Sequence, residues 1–143
     1  MSKSLTSVGV VTLFVDDPKR SQEFYGSVFE LQPIHEDEDS AVLKLDNMLL
    51  NILRRSQAPE LIEPAPVATS GAGASLMFTI WVDDTDAVYE ALEARGVEWL
   101  NGPIDREWGV RTAAFADPDG HAWEIAHNPG FTLDEAGNVT FGM

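Results

Sequence analysis

Residues 12–17 read TLFVDD, and sixty-seven residues later residues 79–84 read TIWVDD, with the same residue class at all six positions. A repeat of this kind makes half a chain the structural unit, used twice. Each copy closes a short apolar strand and leads into a segment with helical spacing. Asp17 followed by Pro18 is a helix start signal, because aspartate is a favoured N-cap and proline is pre-set for the first helical turn. Asp84 stands at the same place in the second copy.

The order of elements follows from patterning. In the first half, the β-branched and apolar residues 8–15 predict a strand, and 18–29 predict a helix with Phe24, Tyr25, Val28 and Phe29 as its buried stripe. Pro33 ends any continuation of that helix. Strands are expected near 32–36, over 41–45 and over 48–53, the last two meeting across a tight Asp46-Asn47 turn. In the second half, 75–82, 97–100, 110–115 and 121–127 predict strands, and 85–95 a helix stopped by Gly96. Asn101-Gly102-Pro103 is expected to break the second of these strands, and Asp117-Pro118-Asp119-Gly120 to turn between the last two. Residues 56–74, with Pro59, Pro64, Pro66, Gly71 and Gly73, read as a linker. The tail 128–143, with Pro129, Gly130 and Gly137, reads as an arm laid across the surface. The expected organisation is one domain over 1–143: a β-α-β-β-β module at 8–55, the linker, a second module at 75–127, and the arm.

Composition narrows the function. With 143 residues, 44% of them hydrophobic, the chain can bury one real core. Nine Lys and Arg against 24 Asp and Glu give a net charge of −15, a field that repels phosphate backbones and anionic lipid and favours cationic partners. Nucleic acid is therefore excluded as an expected ligand. There is no apolar run long enough to span a membrane and no signal-peptide pattern, so a cytoplasmic location is expected. The absence of cysteine rules out disulfides and thiolate chemistry and fits a reducing compartment. The acidic run Glu36, Asp37, Glu38 and Asp39 reads as the solvated tip of a hairpin.

Two β-α-β-β-β modules, a strand-then-VDD entry to each helix, and above all FADPDGHAWEI at 115–125 resemble the vicinal oxygen chelate superfamily. That group includes glyoxalase I, extradiol dioxygenases, fosfomycin-modifying enzymes and the bleomycin resistance proteins. The likeness runs from Val8 to about His127. It implies an α+β fold in which the two modules form a curved mixed sheet around a cup-shaped cleft. It is a poor guide to the reaction, since many chemistries share the scaffold. Alternation then assigns the faces. Val11, Leu13 and Val15, like Phe78, Ile80 and Val82, are all apolar and should pack on the helices. Val10, Thr12 and Phe14, like Met77, Thr79 and Trp81, should face the cup.

Metal-using members of this superfamily place one ligand on each of the first, fourth, fifth and eighth strands. Carried across position by position, the resemblance puts these at Val10, Asn51, Met77 and Glu124. Only Glu124 is an ordinary divalent-metal ligand, and one carboxylate beside a neutral amide leaves an ion short of its coordination. No metal and no other cofactor is therefore expected. His121 and His127 lie an odd number of residues from Glu124 and should point to the other strand face, and His35 sits at an acidic turn, so none rebuilds the site.

Without a metal, Glu124 reads either as a carboxylate held by Arg111 or backbone donors, or as a contact to a cationic or hydrogen-bonding ligand group, or as a general base. Arg111 could equally bind an anionic ligand group. Of the four tryptophans, Trp123 and Trp99 read as core, Trp81 as facing the cup, and Trp108, before Gly109, as a lid. Rings of this kind suit planar or cationic ligands. The expected ligand-binding set is thus Thr12, Phe14, Asn51, Met77, Thr79, Trp81, Trp108, Arg111 and Glu124, with Glu124 as the sole catalytic candidate. Two functions compete. One is a metal-free binding protein like the bleomycin resistance members, sequestering an aromatic or cationic antibiotic at a homodimer interface. The other is a lyase, isomerase or dioxygenase of the same superfamily using Glu124.

Overall fold

The computed structural model describes residues 5–135 and 139–141. The first half runs β1 (Val10–Val15), α1 (Pro18–Phe29), β2 (Pro33–Glu36), β3 (Ser40–Lys44) and β4 (Leu49–Arg54). A 3-10 turn at Arg55–Gln57, the short helix α2 (Pro59–Ile62) and a second 3-10 turn at Ser70–Ala72 lead into the second half. There β5 (Met77–Trp81), α3 (Thr85–Ala94), β6 (Glu98–Asp105), β7 (Arg111–Ala116) and β8 (Ala122–His127) repeat the order. The strands make two separate four-stranded mixed sheets, ordered β1-β4-β3-β2 and β5-β8-β7-β6. In each, the first and last strands of the unit pair in parallel and the others antiparallel. This is the mixed α+β architecture of two β-α-β-β-β units.

Both helices start where the aspartates place them. The Asp17 carboxylate accepts from the backbone N–H of Lys19 at 3.1 Å and Arg20 at 3.4 Å, and Asp84 accepts from Ala87 N–H at 3.1 Å. Such caps satisfy donors that the first turn cannot pair. Asp17→Ala and Asp84→Ala are each expected to lower the unfolding free energy by about 1 kcal/mol, read as a shift of the urea midpoint without a change of slope. α1 ends at Phe29, before Pro33 is reached, because Glu30 turns into the left-handed region at φ 59°. Its carboxylate meets Arg95, just past the end of α3, at 3.0 Å. After α3 the left-handed residue is Gly96, which carries no Cβ penalty.

The buried faces follow the alternation. Leu13 and Val15 of β1, Ala41 and Leu43 of β3, Leu50 and Ile52 of β4, Ala113 and Phe115 of β7, and Trp123 and Ile125 of β8 join Tyr25 and Val28 of α1 in one cluster. That cluster bridges the two halves. Phe29 of α1 packs on Trp123 and Phe115 of the second sheet, with ring centroids 5.0 and 6.0 Å apart, and Tyr25 lies 5.8 Å from Trp123. Aromatic pairs at these separations add to the stabilisation from burial alone. Trp99 also packs against this core, stacked on Tyr89 at 4.3 Å.

One expectation is corrected. Asn101-Gly102-Pro103 does not break β6, which continues to Asp105 through two register shifts against β7. β6 is an edge strand, where a proline without an N–H costs no ladder bond. The segment between the modules carries α2 and two 3-10 turns. In the tail, β9 (Phe131–Leu133) pairs antiparallel with β10 (Val139–Phe141). Gly137 lies outside the described residues.

Candidate functional site

The open faces of the two sheets carry the same device in different chemistry. Thr12 of β1 stands in register with Asn51 of β4, and the Asn51 amide Nδ2 donates to Thr12 Oγ1 at 3.3 Å. Thr79 of β5 stands in register with Glu124 of β8, and Thr79 Oγ1 donates to Glu124 Oε1 at 2.9 Å. All four side chains are half-buried. The second pair differs in its surroundings. Ala122 and Ala126 flank Glu124 along β8, and Ala114 lies directly opposite it on β7, with Ala116 beyond. On the first sheet the corresponding neighbours of Asn51 are Leu49, Leu53 and Val42. Glu124 is therefore a long polar side chain among methyl groups, with Thr112, which accepts from Arg106 at 2.9 Å, opposite Ala126 at the far end of the same face, and Thr79 fixes one of its two oxygens.

Aromatic rings border this floor. Trp81 ends β5, and Phe131 of β9 meets it edge-on with ring centroids 4.7 Å apart. A cavity of about 310 Å³ adjoins the same strand, lined by Thr79, Trp81, Leu133 and the turn residues Asp46, Asn47 and Met48. Met77, at the start of β5 opposite Ala122, is 51% exposed.

The other expected site residues lie elsewhere. Arg111 is not brought to Glu124: its guanidinium donates to Asp86 of α3 at 2.8 and 3.0 Å and to Asp105 at 2.9 Å. These two carboxylates hold Arg111 above its ordinary pKa range, and the Arg111 guanidinium in turn holds Asp86 below the usual carboxylate value. Arg111 therefore serves the outer edge of the second sheet. Trp108, in the turn between β6 and β7, is 69% exposed. Phe14 and Thr12 line a different cavity, between β1 and the segment joining the modules. His127 Nδ1 lies 3.0 Å from the Val82 carbonyl, and the exposed His35 lies beside Asp37.

The four positions that metal-using relatives fill do not fit a resident divalent ion. Val10 offers no donor and is 48% exposed, Asn51 is bonded to Thr12, Met77 offers a thioether, and Glu124 alone supplies charge. Zinc, nickel or iron need several nitrogen or anionic oxygen donors that converge. Among the described residues no group of three His, Asp or Glu could hold a metal.

The Asp117-Pro118-Asp119-Gly120 turn does more than reverse the chain. Asp119 is fully buried and accepts from Asp16 N–H at 2.9 Å and from Ser21 Oγ at 3.4 Å, with Arg20 and Arg55 each 3.6 Å away. Arg55 also donates to Asp16 at 2.9 Å, to the Phe14 carbonyl at 3.0 Å and to the Ala68 carbonyl. Asp117 gathers four donors: Asp119 N–H and His121 N–H on Oδ1, Tyr25 OH and His121 Nδ1 on Oδ2. Burial pushes the Asp117 carboxyl up, but the bonds from His121 and Tyr25 outweigh it and hold it below the ordinary value of 3.8. Burial likewise pushes the Tyr25 phenol far up, reinforced by the Asp117 charge.

A carboxyl with a depressed folded pKa adds stability above its unfolded value and loses it as the pH falls through the folded one. The part of the stability due to Asp117 is accordingly whole above about pH 4 and drains away in more acid solution. In Asp117→Asn the acid limb of a stability-against-pH profile is expected to be shallower. Equal slopes in the two proteins would rule this group out as the source.

The profile of the Glyoxalase/Bleomycin resistance protein/Dioxygenase superfamily matches residues 7–125 of the chain. The uncharacterized protein YraH of Bacillus subtilis (strain 168) is 31% identical over 119 residues, covering 80% of this chain and 93% of YraH. Among solved structures, a glyoxalase-related enzyme from Fulvimarina pelagi has a TM-score of 0.83 at 29% identity, covering 97% of this chain and 100% of that one. A glyoxalase/bleomycin resistance protein/dioxygenase from Nocardioides has a TM-score of 0.79 at 23% identity over 93% of each chain, a likeness of fold.

Proposed function

Because this chain belongs to the glyoxalase/bleomycin resistance protein/dioxygenase superfamily, we propose that it is a metal-independent binding protein that sequesters an aromatic or cationic small molecule, such as an antibiotic, over Glu124. The observation that carries the reading is the Thr79–Glu124 pair on its alanine floor. A half-buried carboxylate with one oxygen fixed and one left over offers a cation a pre-set partner, and the short alanines leave room above it. Trp81 and Phe131 supply faces for a planar ring, and stacking or cation–π contact there adds about 0.5–2 kcal/mol. The net charge of −15 draws cations from a distance.

The bound form is a homodimer in this reading. Val8, Val10 and Met77 are each half or more exposed, or nearly so, and a second copy would cover them while closing the cleft over Glu124. Sedimentation at twice the chain mass is the expected result.

The Thr79–Glu124 pair also favours a second reading, in which Glu124 is the base or a metal ligand of a lyase, isomerase or dioxygenase. Elemental analysis separates the two most directly. The purified protein is expected to carry no stoichiometric transition metal, and added divalent ions to leave its melting temperature unchanged. A tightly bound equivalent of zinc, nickel, iron or manganese would overturn the metal-independent reading.

A further inference from the structure

A cavity of about 270 Å³ lies between β1, the segment joining the modules and the Asp117–Gly120 turn, lined among others by Phe14, Val67, Ala68, Ala74, Leu76 and His121. Met77, Thr79, Trp81 and Glu124 do not line it. Its volume falls just below the ~300–1,000 Å³ typical of drug-sized ligands, which suits a compact molecule.

The chemistry of the wall is specific. Its charges cancel locally: Arg55 bonds Asp16 and lies beside Asp119, Arg20 also reaches Asp119, and Ser70 Oγ donates to Asp16 at 2.6 Å. A charged ligand would meet no uncompensated counter-charge there, so a neutral one is favoured. Much of the remaining lining is apolar, with Phe14 the one carbon ring in it, and Thr12, Thr69 and Ser75 add hydroxyls. His121 is the one imidazole in the wall. Its Nδ1 lies 2.8 Å from Asp117 Oδ2, and Asp117 is itself pinned by Tyr25 OH at 2.7 Å. In the neutral ring Nδ1 donates to that carboxylate, so Nε2 carries the lone pair and accepts. The matching ligand group is therefore a hydrogen-bond donor.

We infer that this cavity is a second ligand site, for a compact neutral aromatic alcohol that lays its ring against Phe14 and donates its hydroxyl to His121 Nε2. It stands apart from the Glu124 face in both residues and ligand charge, so the two readings succeed or fail separately.

Phenol is the probe, with toluene as its counterpart without the hydroxyl. The ring nitrogens of His35, His121 and His127 are followed by NMR in the nitrogen-15-labelled full chain during titration. Phenol is expected to move the His121 ring signals to saturation and leave those of His35 and His127 in place. Toluene is expected to bind about three- to tenfold more weakly, the worth of one neutral hydrogen bond. In His121→Phe the preference for phenol over toluene should vanish. Ala74→Phe, made at an exposed position and away from the Asp117–His121 pair, should fill the cavity and weaken phenol at least tenfold. The inference is overturned if phenol leaves His121 unmoved, if toluene matches it in the wild-type protein, or if Ala74→Phe binds phenol as before.

Discussion

Asp119→Ala is expected to lower the unfolding free energy by about 3 kcal/mol, the largest stability effect of any single polar replacement proposed for this protein. The carboxylate has no exposed surface and serves four groups at once, two of them from α1 and one from the end of β1. Its removal strands the Asp16 amide and the buried Ser21 hydroxyl and leaves Arg55 with one carboxylate partner instead of two. Water cannot easily reach the vacated site, so the donors lose their partners outright. Asp119→Asn keeps an acceptor for Asp16 and should recover part of the loss. Urea unfolding at low and high salt checks the claim, because a buried network is screened far less than a surface pair. A loss below about 1 kcal/mol, or one that disappears in high salt, would show that the turn is only a turn. The exposed Arg111–Asp86 pair is the contrast, and breaking it should change stability little.

Local chemistry in this chain could be read from the sequence, and distant partnership could not. Asp17-Pro18 and Asp84 mark both helix starts because a cap acts within three residues of itself. The repeat places β1 and β5, and alternation along them separates Leu13 and Val15 from Thr12. The Asp117–Gly120 turn is equally plain as a turn. Its role as an anchor is not, since its partners Tyr25, Ser21 and Asp16 lie 92 to 103 positions away. Arg111 shows the same limit. It opens β7 beside a loop, so its face and its partner on α3 depend on a register that no local pattern fixes. Pro103 misleads for a related reason, because a breaker in a central strand is tolerated at an edge, and edge status belongs to the sheet order. The alanine floor was present in the alternation Ala122-Trp123-Glu124-Ile125-Ala126, but its meaning waited on Ala114 being opposite.

Glu124→Gln is expected to weaken binding of a planar cation such as bleomycin about ten- to hundredfold, as a charged hydrogen bond of about 1.5–3 kcal/mol requires. Glutamine preserves the side-chain length and keeps an oxygen to accept from Thr79, so the substitution removes charge while leaving shape. Quenching of tryptophan fluorescence gives the affinity, with Trp81, in register with Ala126 beside Glu124, as the reporter on that face. An uncharged planar compound should bind both proteins alike, because it draws only on the rings and the alanine floor. Thr79→Val keeps the charge but frees Glu124 to swing, and should cost the cation about fivefold through lost pre-organisation. The order of the three proteins is the test: wild type tightest, Thr79→Val intermediate, Glu124→Gln weakest, for the cation alone. If Glu124→Gln weakens the neutral compound equally, the carboxylate shapes the cleft and does not select charge. If it weakens neither, the ligand does not sit over Glu124, and the sequestering role loses the residue on which it stands.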